Sequence, residues 1–106
     1  ISVPITYDAQ FTDTDFGLEA EAYAMFNDTV YLNWKPFYSA FDWVVLRRST
    51  DNSNWVDVFL EPGIFMDENK YTDRNLLPNT KYYYSIGVWR WFSWIFSSSV
   101  EVTTTL

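Results

Sequence analysis

"YTDRNLLPNTKY", residues 71 to 82, runs from the end of one extended segment through a crossover into the start of another. "KYTD" (70–73) reads as a short strand. "RNLLPNT" (74–80) is rich in turn formers, with Asn75, Pro78 and Asn79. From Lys81 onward "KYYYSIGV" alternates, setting Tyr82, Tyr84, Ile86 and Val88 on one side, the period-2 signature of a strand with one buried face.

The same grammar continues in both directions. "GLEAEAYA" (17–24) puts Leu18, Ala20 and Ala22 on one face, and "FNDT" (26–29) turns the chain. "VYLNW" (30–34) then directs Val30, Leu32 and Trp34 inward. "WVVLRR" (43–48) is apolar on both faces, as a central strand is, and "STDNSN" (49–54) turns it into "WVDVFL" (55–60). "SVEVTTT" (99–105) closes the chain, and no segment carries a capped 3.6-residue period. The class is all-β, and seven strands at this spacing predict a two-sheet sandwich.

Composition agrees. Aromatic residues make up 22% of the 106 residues, well suited to half-buried pleated surfaces, and the length allows one core. The absence of both Cys and His excludes disulfides, Cys/His zinc sites, thiol chemistry and imidazole catalysis, so neither a metal nor a cofactor is expected. The net charge of -7, with no basic residue before Lys35, argues against nucleic acid, which requires a basic footprint. No run is long and apolar enough to span a bilayer, and the start at Ile1 suggests a mature or excised form.

Residues 71 to 82 resemble the crossover between strands E and F of bacterial fibronectin type III domains. The resemblance lies in the Tyr-Thr-Asp entry, Leu76 two residues before Pro78, Thr80, and Tyr82 in the tyrosine-corner position. "LRRSTDNSNW" (46–55) is similar to that family's C strand and following turn, and Trp34 matches its B-strand tryptophan. Residues 17 to 105 are covered, with two departures: Asn79 stands where a turn glycine is usual, and the connection from F to G is rich in aromatics. The resemblance implies a seven-stranded fibronectin type III or immunoglobulin-like sandwich over residues 17–106, acting as a spacer or interaction scaffold without catalysis.

Two features exceed what such a sandwich needs. The loops at one pole would gather Phe37, Tyr38, Phe41, Phe65, Trp89, Trp91, Phe92, Trp94 and Phe96. Aromatic side chains bury roughly 150 to 250 Å² each, so even four left outside exceed the apolar patch of an ordinary monomer. They form either a satellite core or an interface. The other feature is "ISVPITYDAQF" (1–11), in which Ile1, Val3, Ile5, Tyr7, Ala9 and Phe11 occupy every odd position. Residues 1–16 are therefore an extension strand and hinge, and the strand either folds back onto its own sheet or complements the sheet of a neighbour.

Several further features carry little chemistry. Asp13/Asp15 and Glu19/Glu21 read as solvated carboxylates, and Asp51, Asn52 and Asn54 as a turn lacking the glycine and distal glutamate of a calcium loop. Asn27 begins an N-glycosylation sequon, "NDT".

The leading expectation is a non-enzymatic structural subunit at the cell surface or outside the cell. It would assemble head to tail with copies of itself through residues 1–11 and the aromatic pole. Arg47, Arg48, Arg74 and Lys81 at the opposite pole would meet Asp8, Asp13 and Asp15. A glycan- or protein-binding module using the aromatic loops is the alternative, and a selected laboratory binder with diversified loops is a third reading.

Overall fold

The structure, a computed structural model, describes residues 16–35, 43–61, 69–90 and 92–106. The extension strand predicted over residues 1–11, and the hinge up to residue 15, lie outside the described residues.

Every described element is a strand: β1 (Glu19–Ala22), β2 (Val30–Asn33), β3 (Trp43–Ser49), β4 (Val56–Glu61), β5 (Lys70–Asp73), β6 (Lys81–Arg90), β7 (Ser93–Phe96) and β8 (Val100–Thr103). They form two antiparallel sheets. One has the order β1-β2-β5, and the other has β4-β3-β6-β7 with β8 also paired to β6. The predicted sandwich is present, with β3 and β6 as the central strands of the larger sheet.

The alternation read from the sequence sets the core. Leu18, Val30, Leu32 and Trp34 from the small sheet meet Val44, Leu46, Tyr82, Tyr84, Ile86 and Val88 from the large one, all buried. The crossover behaves as its residues require. The backbone N–H of Leu77 donates to the Tyr82 hydroxyl at 2.9 Å, which closes a tyrosine corner and gives a buried phenol a partner. Asn79 takes φ +50, the left-handed conformation a turn glycine would otherwise supply, and Asn is among the few side chains that tolerate it.

One expectation is corrected at the C-terminus. The last strand expected over residues 99–105 is present as β8, but the preceding segment, expected as a loop, adds a further strand, β7; the two pair successive stretches of β6 and part at Ser97–Ser99. Serine hydroxyls make the break. Ser97 N–H donates to Ile86 O (2.7 Å), but the Ile86 N–H donates to Ser97 Oγ (2.9 Å) while Ser85 Oγ donates to Ser97 O (2.9 Å). A hydroxyl thus stands in for a carbonyl in the ladder, so the Ile86 N–H and the Ser97 carbonyl keep partners across the kink.

The two sheets are also joined by a polar clasp. Asp73 of β5 receives Arg48 Nη1 at 2.8 Å and the Tyr84 hydroxyl at 2.7 Å, both on Oδ2. Burial works against the Arg48 charge, but the hydrogen bond and charge of Asp73 overcome it, so its pKa lies above the ordinary value. Asp73 is buried and Tyr84 is wholly so, while Arg48 keeps 27% of its side chain exposed, which makes this a partly buried ion pair anchored on a buried carboxylate.

Candidate interaction surface

"WRWFSWIF" (89–96) was expected to be a loop, and the structure corrects this. β6 continues to Arg90, β7 starts at Ser93, and Arg90 pairs with Ser93, so the two strands form a hairpin, with Phe92 in its connection. Phe92, at φ +62 and 93% exposed, sits at the tip. A bulky aromatic in the left-handed region is uncommon. The hairpin places Trp89 and Trp94 directly opposite each other and on the same face.

That face is the outer side of the five-stranded sheet, since the core takes the even positions of β3 and β6. Trp43 is in register with Trp89, and Trp89 with Trp94, so three tryptophans cross three adjacent strands in a row. Trp43 is 42% exposed, while Trp89 and Trp94 are half-buried. Trp89 and Trp94 meet edge to face, with centroids 5.6 Å apart, and Trp94 stacks on Phe96 at 5.8 Å and 22°.

Phe96 lies opposite Gly87 in the pairing, and its ring occupies the space a side chain there would fill. Arg47 covers the ring. Its guanidinium carbon is 3.7 Å from the Phe96 centroid and 4.8 Å from that of Trp55. Burial lowers the pKa of Arg47, against the opposing charge of Asp57, and contact with two ring faces compensates part of its lost hydration. The described surface therefore runs from Phe92 through the tryptophan row to the Trp55–Arg47–Phe96 stack.

Of the nine aromatic residues expected to gather, Trp89, Trp94 and Phe96 come together on this sheet face and Phe92 at its hairpin tip. Phe37, Tyr38, Phe41, Phe65 and Trp91 lie outside the described residues. Trp43 and Arg47 were missed. The outward direction of Trp43 follows from the inward one of Val44, but its alignment with Trp89 depends on the β3–β6 register, which the sequence does not print.

Two of the four cations of the expected basic pole are paired within the chain, and Arg74 is exposed. Arg48 is held by Asp73, Arg47 is stacked between rings, and Lys81 lies 3.7 Å from Glu101. Charge therefore gives little support to a head-to-tail contact at that end. Asp51 is likewise engaged. Its carboxylate accepts from Ser53 N–H, from the backbone and side chain of Asn54, and from the Ser49 hydroxyl. The Asn54 and Ser53 bonds, with Ser49's, hold its pKa well below the usual carboxylate range, and the group organises the β3–β4 turn. Glu19 and Glu21 are exposed on β1, and Asn27 is exposed in the β1–β2 turn. Among the described residues no cluster of His, Cys, Asp or Glu is arranged to hold a metal ion.

No protein-family model and no curated protein matches the sequence. Solved structures do match the fold. A crystal structure of FN3tt superposes with a TM-score of 0.67 at 21% identity, over 84% of this chain and 89% of that one. An Fn3-like protein from Clostridium thermocellum gives 0.63 at 22%, covering 80% and 84% of the two chains. The sixth fibronectin type III domain of human fibronectin type III domain containing protein 3 gives 0.65 at 16%, covering 83% and 80%. Paired strands, tyrosine corner and superpositions agree: the chain is a fibronectin type III-like β-sandwich.

Proposed function

We propose that this chain is a non-catalytic structural subunit, working outside the cell, that assembles with copies of itself. Residues 1–11 act as the complementing strand and the aromatic sheet face as a contact surface. The observation that carries the reading is the Trp43–Trp89–Trp94 row, continued by Phe96, on the outer face of the large sheet. Trp43 is exposed and Trp89 and Trp94 are partly so, and an apolar face of this kind, open to solvent in part, is what an interface core provides. The alternating residues 1–11 supply a strand with one apolar side, and main-chain pairing at a sheet edge gives such a strand its affinity. Contacts between unlike surfaces of one protein lead by default to open filaments.

A glycan-binding module is the weaker reading. Sugar rings stack on free aromatic faces, whereas Trp94 lies against Trp89 and Phe96, and Phe96 lies beneath Arg47.

Sedimentation velocity over a concentration series tests the self-assembly reading. The intact chain should sediment as species larger than a monomer. The double variant Trp43→Ser, Trp94→Ser should associate roughly tenfold more weakly or worse, the size of a lost hot spot. A monomer at every concentration, with tryptophan fluorescence that shifts on adding polysaccharide, would move the assignment to glycan binding.

A further inference from the structure

We infer that the β7–β8 edge, residues 93 to 103, is the groove that receives residues 1–11. The inference takes from the reading above only that residues 1–11 form a strand. It does not depend on which copy donates them.

The open hydrogen-bonding groups identify the edge. Ser97 N–H points to Ile86 and Thr104 N–H to Thr80, so by alternation the backbone groups of Trp94, Phe96, Glu101 and Thr103 point away from β6. Among the described residues no strand pairs with them. The Ser97 kink leaves both halves of this edge on one side of β6, so they form a single long row. Near its lower end the row closes against β1, where Thr105 Oγ1 donates to Tyr23 O at 3.4 Å.

Length separates this edge from its rivals. Residues 93 to 103 run along ten positions of β6, from Arg90 to Lys81, nearly the full length of residues 1 to 11. β1 and β5 each have 4 residues and β4 has 6, too few to pair the whole alternating run. Charge points the same way. The incoming strand carries Asp8 and its hinge Asp13 and Asp15, while β4 presents Asp57 and Glu61 and β1 presents Glu19 and Glu21. The β7–β8 edge has only Glu101, which lies beside Lys81. Burial completes the match. Ile95, Val100 and Val102 face the core yet stay half-exposed, and because the kink inserts one extra residue, a strand that passes over it as β6 does keeps its odd-numbered apolar residues inward along both halves and extends the core over them. Its even positions, Ser2, Thr6, Asp8 and Gln10, would then face solvent.

Reach permits either donor. The carbonyl of Phe16 accepts from Lys35 N–H at 2.8 Å, so the chain leaves the small sheet at the hairpin pole. The four residues before it span at most about 14 Å, comparable with the ~10 Å between stacked sheets. A strand exchanged between copies and one folded back onto its own domain therefore use the same edge, which is the condition for domain swapping.

Cysteine cross-linking of the full chain tests this, because the protein has no cysteine of its own. Thr6 and Ser98 are the midpoints of strand and edge, so Thr6→Cys with Ser98→Cys meets in either strand direction. Thr6→Cys with Leu60→Cys reports the β4 edge, and Leu60 and Ser98 are both exposed, so neither change should disturb the core. On mild oxidation the Thr6/Ser98 pair should form a disulfide in most molecules and the Thr6/Leu60 pair should not. A ladder of linked chains on a non-reducing gel would uphold both the edge and self-assembly. A disulfide closed within single chains would uphold the edge and overturn self-assembly. A link at position 60, or none at position 98 with circular dichroism unchanged, would overturn the inference and leave the self-assembly reading to its own test.

Discussion

Asp73→Ala is expected to cost about 3 to 5 kcal/mol, a large share of the ~5 to 15 kcal/mol that holds a domain together. The variant leaves the Arg48 guanidinium without its 2.8 Å partner and the buried Tyr84 hydroxyl without its 2.7 Å acceptor. Two bonds to a charged acceptor are lost at once, and the wholly buried Tyr84 hydroxyl is left with neither a partner nor water. Thermal unfolding should show a fall of roughly 15 to 30 °C. Tyr84→Phe removes one of the two bonds to a charged acceptor and should cost about 1.5 to 3 kcal/mol. The phenol also gives a pH signature. Burial and then the Asp73 carboxylate raise its folded pKa far above the usual ~10. Below pH ~10 both states keep the proton and its contribution is whole. Above that, the unfolded chain releases the proton and the folded chain does not, so stability falls as pH rises. Tyr84→Phe should lack this part of the alkaline fall. An Asp73→Ala variant melting within a few degrees of the parent would show that the clasp contributes little.

Gly87→Val should be the most damaging single change on the aromatic face. A Cβ at Gly87 would lie 2.4 Å from two carbons of the Phe96 ring and 3.2 Å from Val45 Cγ1. The ring is held from its other side by Arg47 at 3.7 Å, so it cannot lift without opening that stack. Overpacking of this kind costs typically about 1 to 3 kcal/mol, and the further methyl groups of valine place the effect at the upper end. Gly87→Ala should be milder and in the same direction. Near-ultraviolet circular dichroism reads the rearrangement, since moving Phe96 also moves Trp94, which stacks on it. An unchanged melting temperature and aromatic spectrum in Gly87→Val would contradict the packing described for this face.

The core was legible because its signal is local. Val30, Leu32 and Trp34, and then Tyr82, Tyr84, Ile86 and Val88, alternate with polar or outward neighbours, and all seven are buried. Tyr82 could be placed because a tyrosine corner is closed within a few residues of chain, through Leu77. The hairpin between β6 and β7 was missed for the opposite reason. Two-residue connections usually announce themselves with Asn-Gly or a similar pair, and Phe92 adopts its left-handed conformation without that chemistry. With the segment read as a loop, the pairing that sets Trp94 against Trp89 was not legible. The clasp of Arg48, Asp73 and Tyr84 joins β3, β5 and β6 across two sheets, and no spacing within any one strand encodes it. The same holds for Arg47, whose two aromatic partners come from different strands or turns.

Negative-stain electron microscopy of the purified intact chain, beside a chain lacking residues 1–16, addresses the central claim most directly. Thermal melting of both would confirm that the sandwich persists without the extension. Filaments or regular oligomers from the intact chain alone are the expected result, with residues 1–11 as the connecting element. Small, uniform, monomer-sized particles from both chains would contradict self-assembly and leave the aromatic face to a partner of another kind.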